Sequence, residues 1–249
     1  MQSLLNAVDA VQRNLFAVGL YCGATVLAVV LKVLMDAAVL RHTGSDFESL
    51  QAGPYGLLGT IVIIAVLALV RCVAFSRMGK EIDRPLWRIR DDWEAVTRFF
   101  PMWLLLDLVT FTCMWLANPN LFGGSQNAVT AICHIAAFVL NIVAVPIGTC
   151  VMFSGHLQWK RLGEALSPMV RQLPRSGAVL LVCLFQLVIH DIVAGRLLAD
   201  PDTPSPFDFL PQRIGLVLVL TYLECIVFAA VWLLCMADRE APDDTDFEF

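Results

Sequence analysis

Charge is scarce in this chain: Asp, Glu, Lys and Arg make up 16% of its 249 residues, against about 25% in a water-soluble domain. With 58% hydrophobic residues and a mean hydropathy of +0.73, water is excluded as its main solvent. The eight cysteines contain no CxxC pair, which removes the usual spacing of a zinc or redox site. There is no HExxH or HxxxH step, Walker loop, dinucleotide fingerprint, GxSxG elbow or haem-attachment motif, so the recognisable reaction centres are missing. No catalytic residue and no cofactor is assigned.

What the chain has instead is long apolar runs, placed at about 14–40, 55–76, 101–118, 128–154, 176–199 and 213–237. Each is long enough to cross a hydrocarbon core of about 30 Å as an α-helix. The expected fold is therefore an all-α polytopic membrane bundle of six transmembrane helices. Residues 1–13 form an interfacial helix in this reading, 14–237 the transmembrane domain and 238–249 an acidic tail. Pro54, Pro101, Pro119 and Pro211 punctuate the borders. Pro146, with Gly148 after it, predicts a kink in the fourth span, because it leaves the carbonyl of Ile142 without its helical donor. Gly19 and Gly23 make a GxxxG step that lets another helix approach, within the monomer by default.

Before the first span, Leu4, Leu5, Val8, Val11 and Leu15 recur at helical spacing, as in a helix lying on a membrane surface. A cleaved signal peptide is not expected, since the apolar run after this helix is too long for a signal core. The eight cysteines all fall within or at the end of apolar segments and read as reduced core thiols.

Orientation follows from the cations. Arg71, Arg77, Lys80, Arg84, Arg88, Arg90 and Arg98 fall in the second connection, and Lys160, Arg161, Arg171 and Arg175 in the fourth. With Arg13 and Arg239 these make thirteen on one side, against Arg41, Arg196 and Arg213 on the other. The positive-inside rule then places both termini and both basic connectors in the cytoplasm, with a bacterial inner membrane as the setting. Anionic lipid is the expected contact of Arg77, Lys80, Arg84, Arg88, Arg90, Lys160 and Arg161, at about 1 kcal/mol per cation. Trp87, Trp93, Trp103 and Trp159 are read as interfacial anchors at that boundary. Nucleic acid is not an expected partner; a membrane-protein partner or a second copy of the chain is.

The two basic connectors resemble each other. Arg98-Phe99-Phe100-Pro101 and Arg171-Gln172-Leu173-Pro174 each close an amphipathic stretch and open a span, at an offset of 73 residues. Trp93 and Val96 fall opposite Leu166 and Met169 at the same offset, a faint internal repeat. In length, in the leading helix at Ala7 to Asn14 and in these connectors, the layout resembles the YciC-like six-span bacterial inner-membrane proteins. That resemblance implies a fold and a location; the group's biochemical role is unassigned, so it implies no site residue.

Function is sought among polar residues inside the spans, where an ionised side chain costs about 2.5 to 3.5 kcal/mol unless it is paired or faces protein or water. These are Lys32 and Asp36, Asp107, His134 and Asn141, Gln186, His190 and Asp191, and Glu224. Lys32 and Asp36 lie four apart, as do Gln186 and His190, and His134 and Asn141 lie seven apart, so each pair shares a helix stripe. One buried polar network in the outer half of the bilayer is the expectation, with Lys32 and Asp36 as a self-neutralising pair. Asp107 shares a face with Thr110. Glu224 sits near mid-span with no cation close in sequence, so it must be protonated or paired with another helix. The uninterrupted run Ile61 to Val70 is assigned to the lipid-facing periphery.

The first functional expectation is a non-catalytic accessory, scaffold or assembly subunit of a membrane complex. One alternative is a small transporter or channel with a proton- or ion-coupled site at Glu224 and Asp107. Another is an intramembrane metalloprotein in which His134, His190, Asp191 and Glu224 ligate copper or zinc. The acidic tail is read as disordered.

Overall fold

The computed structural model describes residues 2–43, 54–83, 91–117, 128–155, 162–198 and 210–240. Among them there are eight helices and no strand: α1 (Gln2–Arg13), α2 (Leu15–Thr43), α3 (Pro54–Ile82), α4 (Asp92–Leu116), α5 (Ala128–Ser154), α6 (Leu162–Arg171), α7 (Leu173–Leu198) and α8 (Leu210–Glu240). Six of these, α2 to α5, α7 and α8, are long and apolar enough to cross a membrane. Trp87, Trp159, Pro119 and the tail from 241 onward lie outside the described residues.

The helix ends follow local chemistry. Asn14 alone separates α1 from α2: its side-chain amide donates to the Ala10 carbonyl at 2.8 Å, and its own carbonyl accepts from Val18 N–H at 3.1 Å. The polar residue thus closes one helix while opening the next. Gly155 ends α5 at φ +70°, the left-handed cap for which glycine has no Cβ penalty. Its N–H returns to the carbonyls of Val151 and Met152.

Three sequence readings change here. The third span does not begin at Pro101, because α4 starts at Asp92 and runs unbroken through that proline. The turn before Pro101 is held by packing, since Ala95, Val96 and Phe99 are buried in the core; tertiary contact outweighs the lost backbone hydrogen bond. Trp103 is not an interfacial anchor: it is fully buried, whereas Trp93 is 70% exposed. The GxxxG step is not a packing site among the described residues, none of which lies within 4 Å of a Cβ built at Gly19 or Gly23.

Close approach happens elsewhere. A Cβ on Gly79 would stand 2.7 Å from the Trp232 ring and one on Gly148 would clash outright with the Trp103 ring. Each missing side chain is the slot that receives an indole. In lipid the hydrophobic effect gives no gain for packing one apolar helix on another, so shape fit of this kind is the cohesive force. α8 is the hub, touching α1, α2, α3, α5, α6 and α7. Against it the α1 helix buries Ala7 and Val11 completely, while Leu5 and Leu15 of the expected apolar stripe are exposed.

At one end, which carries the start of α2 and the close of α8, ion pairs tie the helices together; this is the basic end of the bundle. Asp83, only 4% exposed, accepts from Arg239 at 3.3 Å, and Arg239 also lies over the Phe153 ring. Arg77 is turned to Asp92, at 2.5 and 3.0 Å, and over Phe16, so this cation is held within the chain. Arg171 meets Asp238 at 3.7 Å. Of the other expected lipid contacts, Lys80 has a partner within the chain, and Arg84, Arg88, Arg90, Lys160 and Arg161 lie outside the described residues.

Candidate functional site

The polar residues separate into three groups in place of the single network expected. Lys32 and Asp36 form a closed pair one helical turn apart on α2, with Nζ at 2.5 and 2.7 Å from the two carboxylate oxygens. Asp36 is 7% exposed, so each charge compensates the other in place, as the four-residue spacing predicts.

The second group centres on a residue that the cation count assigns to a connector. Arg71 lies near the middle of the candidate span Gly56–Ile82, not beyond its end. Its Nη1 donates to Asp107 Oδ1 at 2.6 Å and its Nε to the Tyr21 hydroxyl at 2.8 Å. Tyr21 in turn donates to Glu224 Oε2 at 2.5 Å, and Arg71 Nη2 stands 3.4 Å from the same oxygen. Glu224 therefore does have a neighbouring cation, brought from another helix. The planar guanidinium suits this task because its separate nitrogens reach three groups at once. It is also sandwiched by aromatic faces, with Cζ 5.3 Å from the Trp103 ring centre and 5.8 Å from that of Tyr21.

This cluster joins α2, α3, α4 and α8. Phe75, one turn along α3 from Arg71, stacks on Phe228 at 4.3 Å and meets Tyr21 and Trp103 edge-on at 5.5 Å each. The aromatic wall seals the cluster toward the basic end. Arg71, Asp107 and Glu224 have side chains 12%, 19% and 21% exposed, so they interact at reduced dielectric.

The third group lines a cavity of about 370 Å³ between α4, α5, α7 and α8. Glu224 stands at its inner end beside Val227; His134 and His190 mark the part nearest the far ends of α5 and α7, with Asn141 and Gln186 between. Gln186 Nε2 donates to the Leu220 carbonyl at 3.2 Å, and Asn141 Nδ2 to the Ala137 carbonyl at 2.8 Å. The two pairs that sequence spacing selected, His134 with Asn141 and Gln186 with His190, share one space with Glu224. Lys32 and Asp36 are not in its lining, Asp107 reaches it only through Arg71 and Glu224, and the Asp191 side chain is outside the described residues.

Among the described residues no group of three or more His, Cys, Asp and Glu is placed to hold one metal ion. His134, His190 and Glu224 border the same cavity without converging on a common point, so no metal is assigned. All eight cysteines are free thiols, five of them buried. Sequence reasoning missed Arg71 and Tyr21. The signal for Arg71 was its position, inside the run 55–76 already assigned to the membrane; Tyr21 offered none beyond its depth in the first span. Comparison with protein-family models, with curated proteins and with solved structures finds no match for this chain.

Proposed function

We propose that this multi-pass membrane protein is a small transporter whose solute site is the cavity floored by Glu224, with proton or cation occupancy of the carboxyl cluster as the coupled event. One observation carries the reading: two carboxyls, Asp107 and Glu224, share a single guanidinium at mid-span, and one of them faces an open cavity. With both ionised the cluster holds one uncompensated negative charge, which is costly within a bilayer. A proton or a cation in the cavity restores neutrality, so the site is built to exchange one positive charge.

The distribution of packing supports the same reading. The cavity stretches from Glu224 and Val227 at mid-span toward Ala117, His134 and His190, while Phe75, Trp103, Phe228 and Trp232 fill the bundle on the basic side. One-sided access to a mid-membrane site is what a carrier needs in one of its states. The accessory or scaffold role expected first from the sequence gives the cavity no task, which is why transport stands ahead of it. Cytoplasmic placement of the basic end in a bacterial inner membrane belongs to the same proposal and rests on the cation count.

The test is proton entry into liposomes loaded with a pH-sensitive dye, driven by a potassium diffusion potential. Wild-type protein is expected to carry protons above the level of empty liposomes, and Glu224→Gln to lose that flux. Equal flux in the variant and the wild type, or none above background in either, contradicts the proposal.

A further inference from the structure

The chemistry of the cavity wall narrows the solute, and this inference rests on the transport reading above. We propose that the cavity takes a small monovalent organic ammonium ion with an apolar body, its N–H donors set against Glu224. The volume of about 370 Å³ falls in the range of small-molecule sites. Among the described residues no lysine or arginine lines it; Arg71 lies behind Glu224, turned toward Asp107 and Tyr21.

Hydrogen-bonding capacity points the same way. Gln186 and Asn141 each use an amide N–H on a backbone carbonyl, and Asn141 Nδ2 also stands 3.9 Å from Met114 Sδ; the carbonyl oxygen of each side chain is an acceptor beside the remaining N–H capacity. The contacts of Glu224 to Tyr21 and Arg71 both use Oε2, so Oε1 is the second acceptor of the carboxylate. A carboxylate oxygen set in the wall selects a donor, and a cationic donor forms the stronger, charge-assisted bond. Apart from His134 and His190, the remaining lining, including Phe138, Leu187, Leu220 and Val227, is apolar and suits a hydrocarbon or aromatic body. A cation over the Phe138 face would gain further attraction.

The groups facing Glu224 set its charge balance. Tyr21 comes from α2 and Arg71 from α3, with Asp107 of α4 behind it; His134 of α5 and Cys183 and His190 of α7 share the cavity. Two carboxyls and one guanidinium make up the ion-paired cluster, and a monocation completes the set.

Binding of three probes of similar size to the purified full chain in detergent at pH 8, measured by calorimetry, tests this: 2-phenylethylammonium, 2-phenylethanol and 3-phenylpropanoate. The ammonium is expected to bind at least about tenfold more tightly than the alcohol, and the carboxylate more weakly than either. In Glu224→Gln the ammonium is expected to lose its advantage, with alcohol binding retained. Gln186→Met, which leaves the Arg71 cluster intact, should weaken the ammonium more than the alcohol. Tighter binding of the carboxylate, or equal binding of ammonium and alcohol to the wild type, overturns the inference while leaving a solute cavity in place. An undiminished ammonium advantage in both variants also overturns it. Failure of all three probes to bind removes the solute reading itself. The wild-type series decides the matter even if Glu224→Gln does not fold.

Discussion

The two halves of this bundle are built on different principles. Toward the basic end, α8 buries Cys225 to Trp232 almost without interruption, α5 buries Ala144 to Pro146 and Gly148 to Met152, and α3 and α4 contribute Phe75, Met78, Phe99 and Trp103. In the far half the same helices bury few residues: α5 contributes Thr130 and Ala137 before Ala144, and Ile61, Val62, Val66 and Leu69 of α3 are exposed. The first half is held by indoles seated on glycines and by ion pairs across helix ends. The second half encloses the polar cavity. Arg71 and Glu224 stand on the boundary, so the charge cluster has close packing on one side and the cavity on the other. In the proposed transport role, the packed side holds the geometry of the site and the cavity side admits the ligand.

Breaking the boundary should have the largest effect. Arg71→Met leaves Asp107 and Glu224 facing each other without a cation, and removal of one partner from a buried ion pair costs about 3 to 5 kcal/mol. Thermal unfolding in detergent is expected to show that loss. Adding Asp107→Asn and Glu224→Gln to the same chain should restore most of the stability, because the penalty is for uncompensated charge and not for the missing contact. A triple variant as unstable as Arg71→Met would mean that packing of the guanidinium against Trp103 and Tyr21, and not its charge, matters there.

Comparison of two glycines sharpens the contrast at smaller magnitude. Gly148→Ala forces a Cβ into the Trp103 ring, and overpacking of this kind costs about 1 to 3 kcal/mol. Gly19→Ala adds a methyl that meets none of the described residues within 4 Å, and an exposed helix position prefers alanine to glycine by up to about 1 kcal/mol. Unfolding measurements should therefore separate the two in sign. Equal destabilisation by both would show that the GxxxG step packs against something after all.

The sequence made the membrane fold legible through run length alone, because spanning hydrocarbon requires it. Five of the cavity residues were legible for a related reason: a polar group inside a span has to face protein or water, and helical spacing put His134 with Asn141 and Gln186 with His190. The pairing of Glu224 was not legible, since Arg71 and Glu224 are 153 positions apart and no local pattern encodes a contact between helices. Arg71 was also hidden by a counting rule, which treats an arginine close to a run of basic residues as part of the loop. Gly148 and Gly79 carried no distinctive signal either, as a glycine in a helix shows its purpose only when the neighbouring indole is in place. Pro101 misled because a proline often marks a helix border, yet here the residues before it are buried and keep the helix going.

The most direct test of the one-sided site is labelling with a membrane-impermeant maleimide, read by peptide mapping so that native cysteines are told apart from introduced ones. Gln186→Cys places a thiol in the cavity, and Glu94→Cys places one on an exposed position of α4 at the basic end. The two are expected to react from opposite faces of the membrane, with 2-phenylethylammonium slowing the first and leaving the second unchanged. Labelling of both from the same face, or no labelling of Gln186→Cys from either, would contradict a cavity that opens away from the packed half.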